Sequence, residues 1–381
     1  MYSILISLVF ILSSSLPAEP DIRFQEVDID TNVKVGYGLA LEDVNGDGKK
    51  DIVLADKDIF AWYENPSWTK HVIATKLTNR DHVCLDARDI NGDGKAEIAV
   101  GAGWNPGDTN NSGSVHFLAP GADLTKKHEA IKLHHEPTVH RMRWIKNGSG
   151  GFDLVVAPLH GRGNKGGKGA GVKLLAYSVP RERTAEWKTS VVDDSMHMTH
   201  NLDPVQWDDD PAEEILFVGR EGAFLLDRGK EKWVKTRISE NAGGEVRNGK
   251  LPDGKRFVVT IEPFHGHMLS LYTPANPGDV WTRVVLDDTL KAGHALACGD
   301  LLGVGHDQIV AGWRNRNQAG KVGIRLYAHQ PDGAWKEYVV DDNRMACEDL
   351  RLADMNGDGK LDIVAAGRAT KNLKLYLNQR K

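Results

Sequence analysis

The sequence predicts an all-β fold: a seven-bladed β-propeller of four-stranded blades, with an N-terminal strand closing the last blade. Three observations carry this expectation. A nine-residue turn, Asp43-Val-Asn-Gly-Asp-Gly-Lys-Lys-Asp51, returns as Asp89-Ile-Asn-Gly-Asp-Gly-Lys-Ala-Glu97 and as Asp354-Met-Asn-Gly-Asp-Gly-Lys-Leu-Asp362, each copy running straight into an apolar stretch. Decayed copies precede Leu154, Ile215, Phe257 and Ile309. The residue before each apolar stretch therefore falls at 51, 97, 153, 214, 256, 308 and 362, seven repeats at intervals of 42 to 61 residues. Repeats of this size mark propellers or solenoids. A Trp-led strand also recurs, as Trp187-Lys-Thr-Ser-Val-Val-Asp-Asp, Trp281-Thr-Arg-Val-Val-Leu-Asp-Asp and Trp335-Lys-Glu-Tyr-Val-Val-Asp-Asp, with Trp233 leading a fourth copy.

The first repeat shows the blade. Val35 to Glu42 alternates and leads into the turn, as an inner strand A does; Asp51 to Ala55 reads as strand B, Ile59 to Tyr63 as C, and Pro66 to Ile73 as D. The Trp-led strands are outer strands, and their indoles are blade packing. The last repeat has three strands by Tyr376 and lacks a fourth. The segment Ile22 to Asp30 resembles a D strand and can complete that blade, which covers the exposed edge. The Gly161–Gly171 stretch is a long B–C loop. It is not a phosphate loop, because Gly169 follows Lys168 where Ser or Thr is needed.

Composition narrows the function. Residues 1–18 are apolar, Ser-rich and uncharged, and they read as a signal peptide ahead of a propeller over 19–381, which implies a periplasmic or extracellular protein with no membrane attachment after cleavage. The net charge of −5 gives no attraction to nucleic acid. Cys84, Cys298 and Cys347 are odd in number and sit in apolar strands, so buried thiols are expected rather than a disulfide framework.

The turns put oxygen ligands at alternate positions: Asp43, Asn45, Asp47 and Asp51; Asp89, Asn91, Asp93 and Glu97; Asp354, Asn356, Asp358 and Asp362. Hard cations need this, Ca²⁺ taking about six to eight oxygens, so structural calcium is expected there. The turns resemble those of FG-GAP/VCBS-type propeller repeats, which bind calcium at the A–B hairpin. The same Asn-Gly-Asp-Gly string is also good hairpin chemistry without a metal.

The opposite face carries the chemistry. Strand A is innermost, and the residues that begin successive A strands are Tyr37, His82, His140, His200, His294 and Glu348. The B–C turns that open onto the same face add Trp104, His160, Arg220, His265, His267, Trp313 and Arg314. Neutral imidazole is the commonest transition-metal ligand, and three protein ligands with an open position mark a catalytic zinc site. His140, His200 and His294 are the expected zinc ligands, with His267 or His265 completing the set. His82, His160 and Glu348 are candidates for proton transfer, Arg220 and Arg314 for orienting substrate oxygens, and Trp104, Trp313 and His265 for substrate contact.

Several phrases on this face resemble the propeller domain of aldos-2-ulose dehydratases: Asp81-His-Val-Cys-Leu-Asp-Ala-Arg-Asp, His135-Glu-Pro-Thr-Val-His-Arg-Met-Arg-Trp144, Val156-Ala-Pro-Leu-His-Gly-Arg-Gly163, Asn201-Leu-Asp-Pro-Val-Gln-Trp-Asp-Asp-Asp210 and Gly293-His-Ala-Leu-Ala-Cys-Gly-Asp300. The resemblance implies a zinc-dependent β-elimination on a small keto-sugar such as 1,5-anhydrofructose or a 3-keto-glycoside. That family also carries cupin domains for an isomerising step, and they have no counterpart in this sequence. Two other readings fit a propeller: a polysaccharide lyase acting on uronate-containing chains, and a non-catalytic, calcium-stabilised binding module.

Overall fold

The computed structural model describes residues 22–229, 232–274 and 281–380. These residues form strands and no helix. The strands make seven four-stranded antiparallel sheets, a seven-bladed propeller. β1 (Phe24–Asp30) stands apart in sequence from its blade. Blade one holds β2 (Gly38–Glu42), β3 (Asp51–Ala55), β4 (Ile59–Glu64) and β5 (Thr69–Thr75). Blade two holds β6 (Asp81–Arg88), β7 (Glu97–Trp104), β8 (Ser114–Ala119) and β9 (Glu129–Leu133). Blade three holds β10 (Val139–Lys146), β11 (Phe152–Pro158), β12 (Leu174–Ser178) and β13 (Lys188–Asp193). Blade four holds β14 (Thr199–Val205), β15 (Glu214–Gly219), β16 (Gly222–Arg228) and β17 (Trp233–Ser239). Blade five holds β18 (Glu245–Lys250), β19 (Arg256–Glu262), β20 (Met268–Pro274) and β21 (Trp281–Asp287). Blade six holds β22 (Gly293–Gly299), β23 (Gln308–Trp313), β24 (Gly323–His329) and β25 (Trp335–Asp342). Blade seven is β26 (Cys347–Ala353), β27 (Asp362–Gly367) and β28 (Asn372–Asn378), completed by β1.

The expected closure is present. β1 runs antiparallel to β28, from Phe24 opposite Asn378 to Asp30 opposite Leu373. Charge fixes this register: Lys374, 6% exposed, is held between Glu26 and Asp28, and Tyr63 of blade one donates its hydroxyl to Asp30. The B strands are buried on both faces, and their Ile, Val, Leu, Phe and Ala side chains make the walls between blades. Cys84 and Cys347 are buried, Cys298 is half-buried, and all three are free thiols. The signal-peptide expectation for 1–18 lies outside the described residues.

At the centre, inner strands contribute a buried ionic layer. Arg143 faces Asp86, Arg247 lies between Asp203 and Glu245, and Arg351 bonds Asp349. Burial raises the Asp86 and Asp203 carboxyls, and the guanidiniums of Arg143 and Arg247 oppose that rise.

Candidate metal centre

One backbone device builds the site. In blades three, four, six and seven the pairing of the two innermost strands slips by one residue near the start of strand A. The skipped residue is His140, His200, His294 or Glu348. A bulge of this kind re-aims one side chain out of the sheet. Blade two differs: its slips skip Val83 and Gly103, and His82 keeps a ladder partner in Ala102. The His82 ring turns into the wall instead. It stacks on Phe60 with centroids 4.3 Å apart, and its Nε2 accepts the Leu77 N–H. His82 is therefore a core histidine, not a proton-transfer group at the mouth.

Three imidazoles converge. One ligand nitrogen each from His200, His265 and His294 lies within 4.8 Å of the other two. The ring centroids are 4.4 Å apart for His200–His265, 4.7 Å for His265–His294 and 5.3 Å for His200–His294. His200 Nδ1 is 2.6 Å from the Gly244 carbonyl oxygen and 3.4 Å from Glu245 Oε1, while His294 Nδ1 is 2.6 Å from the Glu348 carbonyl oxygen. A carbonyl only accepts, so each Nδ1 carries the proton and each Nε2 presents its lone pair, an assignment that rests on the hydrogen-bond network. Outer partners of this kind fix the tautomer and orientation of metal-binding histidines. Gly244 makes the approach possible, since a Cβ there would meet the Phe264 carbonyl oxygen at 2.4 Å.

His265 arrives on the loop after β19. Its Nε2 is 2.6 Å from His200 Nε2, and its Nδ1 faces Arg314 Nη2 at 3.3 Å. Phe264, in the left-handed region at φ 47°, turns the loop. Glu262 anchors it: 1% exposed, it accepts from the Thr260, Ser270 and Tyr272 hydroxyls and from Arg283 Nε and Nη2. Glu262 and Glu245 were not legible as site residues, because nothing in an isolated acid marks it as buried behind a histidine.

Burial drives the His140, His200 and His294 pKa values well below the ordinary value, with Arg141 or Arg314 adding to the effect. Part of His265 reaches solvent, yet desolvation of its ring, then His200 and Arg314, push it down to about 2. All four are neutral at physiological pH, which is the metal-binding form. The nitrogen set fits zinc, whose His ligands lie at about 2.0–2.1 Å, so that tetrahedral neighbours are roughly 3.3 Å apart. His200 and His294 are already correctly protonated for it. His265 requires Arg314 to give way at Nδ1.

Other expected residues fall at different distances from this centre. His140 is beside it, edge-on to His200 at 4.7 Å and stacked on Trp104 at 4.7 Å, with Nε2 buried and unpartnered. Glu348 is 2% exposed and paired with both Arg314 and Arg368, so its carboxylate oxygens face guanidiniums rather than the open mouth. Its guanidinium partner Arg314 is what it positions. His267 is exposed and lies outside the ligand set, and His160 is packed beside Thr138 and Met198. Arg220 donates to the Gly166 carbonyl and pins the glycine-rich loop. Trp313 is 2% exposed, donates to the Lys321 carbonyl and carries Arg325 on its face, so it cannot stack on a sugar. A cleft of about 470 Å³ opens beside His265, lined by polar groups that include Asp288, Lys291, Asn315 and Gln318.

On the opposite face the turns fold as expected, but their first acid looks inward. The Asp43 carboxylate accepts N–H groups of Gly46, Asp47 and Gly48, and Asp354 accepts those of Gly357, Asp358 and Gly359. Burial, offset in part by backbone N–H donors and reinforced by Asp47 and Asp43, pushes Asp51 up to about 6.

A family profile for an FG-GAP-like repeat matches residues 43–100, and one for the FG-GAP repeat matches 85–118. The molecule is thus a seven-bladed β-propeller that carries FG-GAP repeats. No curated protein matches the sequence. Solved structures share the architecture. A chain of the mitotic checkpoint complex is 14% identical, covering 98% of each chain at a TM-score of 0.56. Rhamnogalacturonan lyase YesW is 16% identical over 94% of this chain and 76% of its own, at 0.53. An Agrocybe aegerita lectin that recognises non-reducing terminal N-acetylglucosamine is 13% identical over 84% and 81%, at 0.50. At such identities the likeness is one of fold.

Proposed function

We propose that this propeller is a metal-dependent carbon–oxygen lyase that takes a small keto-sugar, of the 1,5-anhydrofructose or 3-keto-glycoside kind, at its histidine-lined mouth. The observation that carries the reading is the convergence of His200, His265 and His294 from three successive blades, with two of the rings oriented by carbonyl acceptors. These three residues would hold the metal. Zinc there supplies Lewis acidity, which polarises a substrate carbonyl and acidifies its α-proton.

The rest falls to the chain's own groups. His140, neutral and beside the three imidazoles, is the candidate base for the α-proton; its Nδ1 faces Arg141 Nη1 at 3.4 Å, so Nε2 offers a lone pair only when Arg141 gives up that contact and the proton moves to Nδ1. The electron pair of the breaking C–H bond forms the new Cα=Cβ bond only as the β C–O bond breaks, and the leaving oxygen takes up the proton that His140 accepted and departs as water or an alcohol. Arg314, anchored by Glu348, presents a guanidinium to substrate oxygens, and the polar cleft beside His265 accommodates the remainder of the sugar. In this reading the turns of the opposite face that open at Asp43, Asp89 and Asp354 hold structural calcium.

The test combines metal analysis of the purified protein with an assay for enone absorbance on 1,5-anhydrofructose and 3-keto-glycosides. Zinc near one equivalent and turnover are expected, and His200→Ala is expected to lose both. His140→Ala is expected to keep zinc and to slow turnover by roughly 10²–10⁴. A protein that binds no zinc and is inert on each keto-sugar overturns the reading and leaves a binding propeller. Turnover only on uronate polymers replaces it with a polysaccharide lyase.

A further inference from the structure

The A–B turn of blade four departs from its counterparts. It reads Gln206-Trp-Asp-Asp-Asp-Pro-Ala-Glu-Glu214, so Gln206 stands where blade one has Asp43. Gln206 Nε2 donates to the carbonyls of Asp208 and Asp210, at 2.9 and 2.7 Å, and closes the turn without an acid at that position. Three carboxylates then meet nearby. One oxygen each of Asp208, Glu214 and Asp227 lies within 4.8 Å of the other two. Asp208 comes from the turn, Glu214 opens β15, and Asp227 belongs to β16.

Glu214 is 1% exposed. Its Oε2 accepts the Trp207 N–H, and its Oε1 has no partner. None of the three acids is ion-paired among the described residues. Two flanking guanidiniums are engaged elsewhere: Arg228 bonds Asp153 and lies over Trp233, and Arg256 bonds the Gln206 carbonyl and lies over Trp207. Burial raises the Glu214 and Asp227 pKa values, and Asp208 and Asp210 raise both further. A buried carboxylate oxygen that meets neither donor nor cation is costly, and Glu214 Oε1 is such an oxygen, with the half-buried Asp227 and the exposed Asp208 facing the same carboxylate.

We infer that Asp208, Glu214 and Asp227 form a site for a hard divalent cation of the calcium kind, joining the blade-four turn to strand β16. An all-oxygen, all-acid set selects hard cations over zinc or copper. Three oxygens within 4.8 Å of one another lie no more than about 2.8 Å from a common point, close to the Ca–O distance of about 2.3–2.6 Å. Magnesium, at about 2.0–2.1 Å, asks for a tighter set. Carbonyls and water complete the shell. The ion replaces mutual repulsion with a clamp across the turn that follows β14, the strand that carries His200. The site does not depend on the lyase reading.

Trp207 flanks Asp208 and supplies an antenna for Tb³⁺, a calcium surrogate. Emission excited through tryptophan is measured on the whole protein and displaced with Ca²⁺. Asp227→Asn and Asp208→Asn keep the side-chain shape, and Asp208 is exposed, so folding is retained; circular dichroism checks this. Each is expected to weaken Tb³⁺ and Ca²⁺ binding at this site tenfold or more. Trp207→Phe is expected to lose the emission and keep the Ca²⁺ affinity, and Asp358→Asn to change neither. Emission insensitive to both Asp→Asn variants, absence of Ca²⁺ binding, or loss of the signal with Asp47→Asn instead overturns the assignment.

Discussion

Glu262→Ala tests how the His265 loop is held. Glu262 gathers donors from Thr260, Ser270, Tyr272 and Arg283 at the end of β19, three residues before His265. Truncation orphans the Thr260 and Ser270 hydroxyls, which are 1% and 0% exposed, and strips Arg283 of its carboxylate. Tyr272 is partly protected, because its hydroxyl also meets Ser239 and Asn241. Each orphaned group costs about 1–3 kcal/mol, and loss of one partner of a buried charged cluster about 3–5 kcal/mol. A total of at least about 5 kcal/mol corresponds to a fall in Tm of roughly 7 °C or more for a chain of this size. Stability alone does not distinguish a positioning role from a packing one, so zinc titration accompanies the melt. Loosening the loop is expected to weaken zinc binding about 10- to 100-fold, with Glu262→Gln recovering part of both losses. A variant that melts lower but binds zinc as the parent does refutes the link from Glu262 to His265.

Two further outcomes concern features away from the site. His116 is 7% exposed with both ring nitrogens unpartnered, and burial, then Lys132, push its pKa down to about 4 from an ordinary 6.5. The unfolded chain therefore binds the extra proton between those values, so its contribution is fully present above pH 6.5 and is lost as pH falls toward 4. The gap corresponds to about 3 kcal/mol, and His116→Leu is expected to flatten that part of a stability–pH profile; an unchanged profile refutes the assignment. Deleting residues 19–31 removes β1 and leaves Lys374 buried without its acids, so a marked fall in Tm is expected. A truncated protein as stable as the parent refutes closure by β1.

Much of the fold was legible because each blade repeats a local rule. The acid or its stand-in before each B strand, the turn glycines and the Trp-led outer strands are set by neighbours in sequence, so seven blades and the closing strand could be read directly. The site was legible only to the level of a ring. His82 and His200 occupy matching places in the repeat, yet a single residue decides which strand position slips, and that sends one to the mouth and the other against Phe60. Trp104 and Trp313 share a phrase, but Arg325 and Lys321 cover only Trp313. The sequence leaves His265 open as a zinc ligand or a substrate contact, and it lies within the imidazole cluster because Gly244 lets its loop approach where a longer side chain would hold it away. The acids of blade four escaped because Asp227 comes from a different strand from the turn.

Closure by β1 also sets a timetable. The six register pairs between β1 and β28 join residues 24–30 to residues 373–378, so nearly the whole chain lies inside the loop they close. During synthesis at about 5–20 residues per second, β1 waits tens of seconds for its partner. Its own side chains suit that delay: Glu26, Asp28 and Asp30 interleave with Phe24, Val27 and Ile29, and an acidic strand is a poor template for stray pairing. Those carboxylates later become the acceptors of Lys374, Tyr63 and Lys70, so the charges that guard the unpaired strand are the ones that latch the finished ring.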